Sequence, residues 1–419
     1  MAAAYVIGAG LAGLAAAVRL AEAGQKVCLY EAAGHAGGRC RSFDDAAIGR
    51  RIDNGNHLIL GANRATFRYL DAIGAPDALR APSETVFPFL DVDTGERWVV
   101  RPNAGPIPWW IGVPARRVPG SRTLRYLAAL KLTVAGAGAT VADCLAVDDP
   151  VVRRFVEPLA VAVLNARMED GAARLLGPVM AVIFFGGSRA WRGYVAREGL
   201  SAGLIDPAIA RLGDLGADVR FGHRLSAFEI EGSRIGGLRF PRGTVALGPA
   251  DRVILAVPPT MAVSLIPGLE APLASRAILN IHFRLDDAPD LPEGAPYLGL
   301  VGGVAQWLFV RGDVAAVTVS AADDLIDDPA EALANRAWRD VARALDLDPS
   351  AVPPYRVVKE RRATFAQIPT EVSRRPGAST EFTNLFLAGD WTNTGLPATI
   401  EGAVRSGNRA ARLAMKKSR

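Results

Sequence analysis

A glycine-rich turn close to the N-terminus constrains the fold of this chain more than any other feature. Residues 5–7 predict a buried strand, and this strand runs directly into Gly8, Ala9, Gly10, Leu11, Ala12 and Gly13. An alanine-rich segment over residues 11–23 predicts a helix, and Lys26–Tyr30 predicts a second strand. In such a unit the first glycine makes the tight turn, the second lets a phosphate approach the backbone, and the third lets the helix pack on the strand. Because N–H groups at a helix start attract anions, the pattern predicts that residues 8–13 bind the pyrophosphate of a dinucleotide.

The end of the second strand carries the next part of this predicted site. Glu31 is placed to accept hydrogen bonds from both hydroxyls of an adenosine ribose, and Ala32 lies beside it. Further along, Gly37, Gly38 and Arg39 form a second glycine turn that brings an arginine to the pyrophosphate. This second turn suits a flavin dinucleotide buried deep in its domain, so the pattern favours FAD over NAD. The alternative is a tightly packed helical hairpin that binds nothing, but it does not explain the ordered succession of strand, glycines, helix, strand and acid.

Composition narrows the class of protein. The chain has 419 residues, half of them hydrophobic, which predicts two interleaved domains with a large core. It contains no apolar run of about eighteen residues, so we expect no membrane-spanning helix. The N-terminus has no basic start and its apolar run contains the glycine pattern, so we expect no signal peptide. Three cysteines are too few for a disulfide framework, which favours the reducing cytoplasm. Four histidines without clustered spacing predict no metal site.

The net charge of +5 comes almost wholly from arginine, since only five lysines are present. A mild basic excess suits nucleic acid or an anionic membrane, and because no nucleic-acid motif accompanies it we expect no nucleic-acid partner. Trp109 and Trp110 lie beside aliphatic residues, and Arg116 and Arg117 follow. Such a segment suits peripheral association with the inner face of the cytoplasmic membrane, with arginines at the lipid phosphates. The alternative is that both tryptophans line the core or a ligand cavity.

The motifs at both ends of the chain resemble those of the amine-oxidase and phytoene-desaturase superfamily of FAD proteins. The resemblance rests on Glu31-Ala32 with Gly37-Gly38-Arg39, and on a predicted strand over residues 384–388 that leads into Gly389-Asp390. It implies that Asp390 contacts the ribityl and phosphate oxygens of the flavin. It also implies that a helix predicted from residue 397 onward, with Thr399 and Ile400 near its start, points its N-terminus at the flavin pyrimidine ring. There the helix dipole stabilises negative charge.

A narrower resemblance, to the squalene-associated flavoproteins of the hydroxysqualene dehydroxylase family, rests on further motifs. These are residues 53–57 with 58–61, residues 361–366 with Arg375-Pro376, and residues 388–402. The resemblance implies that Gly55 and Asn56 approach the flavin, and Asn56 stands where the family usually has glutamine. It also implies a reductive reaction in hopanoid synthesis. Hydroxysqualene would lose its hydroxyl, gain a hydride from reduced FAD and become squalene.

The implied reaction needs a proton donor for the departing hydroxyl and a dry, aromatic-walled tunnel that stabilises a cation. His57 is the candidate donor, and a structural role is the alternative for it. The candidates for the tunnel wall, each equally compatible with ordinary core packing, are Trp109, Trp110, Phe184, Phe185, Trp191, Trp307 and Trp391. We expect a lipophilic isoprenoid substrate and, as candidate partners, the upstream enzymes of squalene synthesis.

Other functions suit the same motifs. A phytoene- or carotenoid-type desaturase would transfer hydride in the opposite direction, onto oxidised FAD. An amine oxidase usually has a lysine near the flavin, and Lys359 is the only central candidate. A non-catalytic prenyl-lipid carrier would need no flavin, and the intact Glu31 and Gly389-Asp390 argue against it. No second glycine motif lies between a strand and a helix, so we expect electrons to pass to or from a diffusible partner.

We predict a Rossmann-like α/β FAD-binding domain interleaved with an α+β substrate domain. The FAD-binding domain is discontinuous and comprises residues 1–75, 200–258 and 362–419. The substrate domain comprises residues 76–199 and 259–361. Residues 218–221, 225–231 and 234–240 alternate like the strands of one hairpin unit. By the family resemblance, this unit lies at the adenine, which Leu225 would contact through its backbone.

Overall fold

A buried parallel sheet of five strands, which we call the dinucleotide sheet, organises the computed structural model, which describes residues 2–416. The spatial order of its strands is Asp218–Arg220, Lys26–Tyr30, Ala3–Ile7, Arg252–Leu255 and Leu385–Leu387. Ile7 is in register with Tyr30 and Leu255, and Leu255 is in register with Leu387. The carboxyl ends of four strands therefore meet at one edge, where open α/β sheets bind their ligands.

Two helices cross closely on one face of the dinucleotide sheet. Leu11–Glu22 follows the central strand, and Ile400–Lys416 packs against it. A Cβ added at Gly407 would lie 2.1 Å from the carbonyl oxygen of Ala12, so only glycine permits this approach. The crossing holds the C-terminal part of the chain against the N-terminal glycine turn.

The second layer is a sheet of seven strands, which we call the seven-stranded sheet. Its strand order is Tyr355–Phe365, Ser275–Arg284, Val314–Val319, Trp307–Arg311, Tyr297–Val301, Phe87–Asp91 and Arg97–Val100. Neighbours are antiparallel except Tyr297–Val301 and Phe87–Asp91. Apolar residues of one face pack against the amphipathic helix Ala330–Leu345. Because side chains alternate along a strand, Asn280 and His282 lie on the opposite face.

Shorter elements connect these layers. Three smaller sheets contain Ser42–Asp45 with Arg50–Asp53; Ala227–Glu231, Arg234–Phe240 and Gly243–Ala246; and Ile59–Leu60, Gly193–Ala196 and Leu79–Arg80. The remaining α-helices are Arg64–Ala72, Thr123–Leu127, Val141–Cys144, Glu157–Leu164, Ala173–Phe185, Gly187–Trp191, Asp206–Asp214, Pro259–Leu265 and Pro369–Ser373. Short 3₁₀ or π helices occupy Trp109–Gly112, Pro114–Arg116, Ala128–Val134, Val152–Val156, Ser201–Ile205 and Pro292–Gly294.

The predicted fold class is confirmed, and two local predictions need correction. Residues 218–221 were expected to join a hairpin, but Asp218–Arg220 pairs in parallel with Lys26–Tyr30 and extends the dinucleotide sheet. The C-terminal helix begins at Ile400 rather than at residue 397. All five strands of the dinucleotide sheet fall within the segments assigned to the FAD-binding domain, whose residues Met1 and 417–419 lie outside the described range. The domain boundaries themselves stay a prediction.

Candidate FAD site and active site

The three positions of the N-terminal turn that hold glycine require it for different structural reasons. A Cβ at Gly8 would lie 2.4 Å from the carbonyl oxygen of Ala256, and one at Gly13 would lie 1.8 Å from that of Gly8. Gly8 also has a φ of 105°, which disfavours other residues. A Cβ at Gly10 would meet no atom within 4 Å. Packing therefore explains Gly8 and Gly13, whereas the glycine at position 10 keeps free the space in front of the helix.

The helix that starts at Leu11 offers donors to that space. Its first turn has no side-chain cap and no acidic residue. The N–H of Leu14 donates to the carbonyl of Gly10, which leaves the N–H groups of residues 11–13 without an intrahelical partner. Backbone donors at the positive end of a helix dipole fit a pyrophosphate. The predicted contacts of Leu11, Ala12 and Gly13 with the cofactor are compatible with this geometry.

Glu31 and the second glycine turn both contact the N-terminal glycine turn. The carboxylate of Glu31 accepts hydrogen bonds from the N–H groups of Ala9, at 2.7 Å, and Ala33, at 2.8 Å. The N–H of Gly37 donates to the carbonyl of Ala9 at 2.8 Å. Gly38 has a φ of 56°, and a Cβ there would lie 3.6 Å from the Cα of Gly10. The predicted residues Ala9, Gly10, Glu31, Ala32, Gly37 and Gly38 thus lie together at the edge of the dinucleotide sheet.

Arg39 connects this turn to the C-terminal motif. Its guanidinium donates to the carboxylate of Asp390 at 2.7 Å and to the carbonyl of Ala363 at 2.5 Å. The neighbouring Asp390 raises the pKa of Arg39. Gly389 has a φ of 144°, and its N–H donates to the hydroxyl of Ser406 at 2.6 Å. A positive guanidinium and backbone donors around one cleft suit the phosphates and ribityl oxygens of FAD.

Arg375 shapes the loop that follows Asp390, a role that the sequence did not reveal. Its buried guanidinium donates to the carbonyls of Asp390 at 2.9 Å, Thr392 at 2.5 Å and Leu396 at 2.8 Å. Burial lowers the pKa of Arg375 to about 10, so the group stays charged at neutral pH. The only signal in the sequence was an arginine inside a family-like motif.

The start of the C-terminal helix faces the same cleft. The hydroxyl of Thr399 accepts a hydrogen bond from the N–H of Gly402 at 3.1 Å and caps the first turn that begins at Ile400. The N–H of Ala398 donates to the side chain of the fully buried Gln367 at 2.8 Å. This helix start is therefore held in place, as a dipole that stabilises charge on a flavin requires.

The segment of residues 53–57 is bound to the seven-stranded sheet by amide groups. The amide of Asn280 donates to the carbonyl of Asn54 at 3.2 Å and accepts from the N–H of Asn56 at 3.4 Å. The side chain of Asn56 donates to the hydroxyl of Thr318 at 3.3 Å. A Cβ at Gly55 would lie 3.1 Å from the amide nitrogen of Asn280, so this position has little room. The network presents the next residue, His57, to the cleft.

His57 shares a small cavity with a second histidine, which was not predicted. The cavity has a volume of about 30 Å³, and Asp53, His57, His282 and Arg311 contribute to its lining. Desolvation lowers the pKa of His57, and the nearby Asp53 opposes this shift. His282 is 1% exposed, its Nε2 has no hydrogen-bond partner among the described residues, and burial lowers its pKa to about 4. The ring of His282 is therefore neutral at pH 7, whereas His57 is exposed in the open cleft.

Asp53 links several of the residues around this cavity through its carboxylate. Its carboxylate accepts hydrogen bonds from the hydroxyl of Ser42 at 2.5 Å and the N–H of Leu200 at 2.9 Å, and it pairs with the guanidinium of Arg311. The carboxylate is buried but fully paired, so it fixes the start of the segment that leads to His57.

Six rings on the face of the seven-stranded sheet opposite the helix Ala330–Leu345 form what we call the aromatic cluster: Phe89, Trp98, Trp110, Phe155, Trp191 and Trp307. Trp191 lies 5.8 Å from Trp110 and 5.7 Å from Phe155 between ring centroids. The indole N–H of Trp191 has no partner in the described part of the chain. Trp391 belongs to the same buried core, and so does Phe184.

Two of the predicted tunnel residues lie elsewhere. Trp109 is 51% exposed and Phe185 is 50% exposed, so neither lines an enclosed cavity in this structure. Trp109 instead packs under the guanidinium of Arg116, 5.0 Å from its ring centroid. The contacts of the buried tryptophans with a substrate stay a prediction.

The remaining predicted contacts concern Leu225 and Lys359. Leu225 is buried in the same core as Tyr30, and its backbone forms no hydrogen bond within residues 2–416, which leaves it available to a base. Lys359 donates to the carbonyl of Asp328 at 2.5 Å. This amine is held beside the helix Ala330–Leu345, away from the residues of the cleft. No group of three or more potential metal ligands occurs in the described range.

The fold and the cleft define an FAD-dependent oxidoreductase. The chain matches the family model of flavin containing amine oxidoreductases over residues 11–415. It is 46% identical to the hydroxysqualene dehydroxylase of Sinorhizobium fredii over 99% of this chain and 98% of that protein. It is 44% identical to the hydroxysqualene dehydroxylase of Rhodopseudomonas palustris over 99% of both chains. The chain therefore belongs to the flavin-containing amine oxidoreductases and, within them, to the hydroxysqualene dehydroxylase family.

More distant relatives share less with this chain. The cyclohexylamine oxidase of Brevibacterium oxydans has the same fold, with a TM-score of 0.70 over the full length of both chains and 16% identity. The zeta-carotene desaturase of a Synechocystis species is 40% identical, but over only 80 residues, which are 19% of this chain. Of the relatives named above, the two dehydroxylases combine high identity with nearly full coverage of both chains. The cyclohexylamine oxidase has low identity, and the desaturase match covers a small part of this chain.

Proposed function

We propose that the protein reductively dehydroxylates hydroxysqualene to squalene in the synthesis of triterpenoid precursors such as those of hopanoids. The near-full-length identity of 46% to a hydroxysqualene dehydroxylase carries the proposal. When bound and reduced, FAD supplies the hydride that replaces the hydroxyl group. A proton from the protein lets that hydroxyl leave as water, so hydride and proton together balance the reaction.

The aromatic cluster supports an apolar substrate. Its rings are buried, and some of them, such as Phe89 with Trp307 and Trp110 with Phe155, pack edge to face. Ring faces stabilise a developing positive charge when water is excluded. Trp391, which directly follows the cofactor residue Asp390, lies in the same core. The apolar core that contains the cluster therefore also contains the residue beside Asp390, and a carbocation formed there from an isoprenoid would need stabilisation.

His57 is the proposed proton donor. It lies in the cleft at the end of a segment that Asn280 and Asp53 hold in place. Only the protonated imidazole can transfer a proton to the departing hydroxyl. Because the pKa of His57 is lowered, this protonated form is the minor one at neutral pH. The carboxylate of Asp53 favours the protonated form and partly restores it.

Conversion of hydroxysqualene by the purified, FAD-loaded protein tests the proposal. With dithionite as the reductant and oxygen excluded, we expect squalene as the product. The control is the same protein with oxidised FAD, which should leave hydroxysqualene unchanged. Turnover of phytoene by the oxidised protein, with hydroxysqualene untouched, would replace the proposal by the desaturase alternative.

A further inference from the structure

Exposed apolar side chains concentrate on one part of the surface. Of the twelve large apolar side chains that are exposed within residues 2–416, eight lie between residues 107 and 185. The exposed fractions of Ile107 and Leu124 reach 73% and 77%. Isolated exposed apolar residues are ordinary, but a concentration of them indicates a binding surface.

Hydrogen bonds and close packing join these residues into one surface. The side chain of Asn103 donates to the carbonyl of Ile107 at 2.9 Å, and the hydroxyl of Thr123 donates to that of Ile111 at 3.1 Å. A Cβ at Gly187 would lie 2.8 Å from the backbone nitrogen of Gly105, so the helix end that carries Phe185 lies against this segment. We call the surface formed by Ile107, Trp109, Val113, Leu124, Leu127 and Phe185 the docking surface.

The chain segment that forms most of the docking surface is rich in basic residues. Residues 97–142 contain seven arginines and lysines and no aspartate or glutamate, which exceeds the net charge of +5 of the whole chain. Three of these seven pair with acidic residues: Arg97 with Asp346, Arg101 with Glu293 and Arg125 with Asp149. The other four, Arg116, Arg117, Arg122 and Lys131, form no ion pair within the described residues, and Arg116 lies over the ring of Trp109. Basic side chains without an acidic partner therefore accompany the exposed apolar side chains of this segment.

We propose that the docking surface binds an anionic lipid bilayer. Aliphatic side chains and an indole would insert at the boundary between headgroups and acyl chains, while the arginines contact lipid phosphates. Charge complementarity favours a bilayer over a second copy of this chain, because two copies would bring the same basic segments together. No helix in the described range is long and apolar enough to cross a membrane, so the proposed binding is peripheral.

The docking surface lies next to the aromatic cluster. Trp110 follows the exposed Trp109 but is 1% exposed and belongs to the aromatic cluster. The docking surface is thus adjacent to the buried rings. If the proposed function holds, a water-insoluble substrate would pass from the bilayer towards the cluster without crossing water.

Sedimentation with lipid vesicles in the absence of substrate tests the proposal. The holoenzyme should bind vesicles of phosphatidylcholine with phosphatidylglycerol and bind pure phosphatidylcholine more weakly, and salt should reduce the difference. The double variant Ile107→Ser/Leu124→Ser should bind anionic vesicles about tenfold less, and Arg122→Gln/Lys131→Gln should lose a similar factor. Leu273→Ser/Leu347→Ser, which alters exposed leucines elsewhere, is the matched control and should bind like wild type.

Two results would overturn the proposal. One is equal vesicle binding by wild type and both docking-surface variants. The other is an absence of vesicle binding together with a dimer in light scattering that Ile107→Ser/Leu124→Ser abolishes, which would assign the surface to a second copy. Conversion of hydroxysqualene in detergent micelles separates this test from the proposed function, because the docking-surface variants should keep wild-type activity there.

Discussion

The guanidinium of Arg39 donates a hydrogen bond of 2.7 Å to the carboxylate of Asp390, although the two residues are 351 positions apart in the chain. Each residue belongs to a separate motif that predicted contact with FAD. The dinucleotide sheet brings them together, because the strands that end at Ile7 and Leu387 open onto the same edge. The pair joins the phosphate end of the cleft to the part of the cleft that would hold the ribityl chain.

Asp390 and Glu31 should each be needed for FAD retention. The variant Asp390→Ala removes a charged partner of Arg39, and Glu31→Ala removes the group placed for the ribose hydroxyls. Because a charge-assisted hydrogen bond contributes about 1.5–3 kcal/mol, the dissociation constant of FAD should rise roughly 10- to 100-fold. Fluorescence titration of the apoprotein with FAD measures it, with the exposed Asp214→Ala as control. Wild-type affinity in both variants would contradict the assigned cofactor site.

The two glycines Gly10 and Gly13 should respond differently to alanine. At Gly13 the new Cβ meets the backbone oxygen of Gly8, so Gly13→Ala should destabilise the apoprotein by about 1–3 kcal/mol. At Gly10 it meets no protein atom, so Gly10→Ala should leave unfolding of the apoprotein nearly unchanged and weaken FAD binding by about tenfold or more. Urea unfolding and FAD titration separate the two effects. Equal destabilisation of the apoprotein by both variants would contradict the packing difference, and wild-type FAD affinity in Gly10→Ala would contradict a cofactor in the space at Gly10.

Dehydroxylation should depend on the protonated form of His57. Since desolvation lowers its pKa below 6.5, kcat/KM should be greatest at acidic pH and decline as the pH rises through the pKa. The variant His57→Gln should lower kcat about 100-fold and remove this limb of the pH profile. A purely structural role would instead reduce FAD retention and leave the shape of the profile unchanged.

His282 should make the fold sensitive to acid. Its pKa is about 4 in the folded protein against 6.5 in the unfolded chain, so the unfolded chain binds a proton first as the pH falls. The free energy of unfolding should therefore decrease between pH 6.5 and 4, by about 3 kcal/mol from this group. Urea unfolding across this range measures the loss, which His282→Phe should reduce and the exposed His35→Gln should not. The same slope in wild type and His282→Phe would contradict the assignment.

The local part of the cofactor site could be predicted from the sequence. Residues 8–13 lie within one strand–helix–strand unit, and Glu31 and residues 37–39 follow shortly after its second strand, so their geometry depends on short-range spacing. Asp390 was identified through its own motif. The meeting of the two motifs could not be derived from spacing, because it depends on the parallel pairing of strands far apart in the chain.

Other features depend on contacts that no local pattern reveals. His282 lies on a strand whose alternating pattern predicts two faces, but the pattern does not indicate which face lines the cleft. Asp53 pairs with Arg311, which is 258 residues away in the chain. Residues 218–220 have the alternation of a hairpin strand, yet their partner is Lys26–Tyr30. Trp109 and Trp110 differ in exposure because consecutive residues of a 3₁₀ helix point about 120° apart, so one indole faces solvent and the other the core.

The direction of the flavin redox change tests the central claim most directly. Protein with FAD reduced anaerobically should return to the oxidised-flavin absorbance when hydroxysqualene is added, with one squalene formed per flavin. Phytoene should cause no such change. A flavin that stays reduced with hydroxysqualene, while phytoene bleaches the oxidised protein, would contradict the dehydroxylation account.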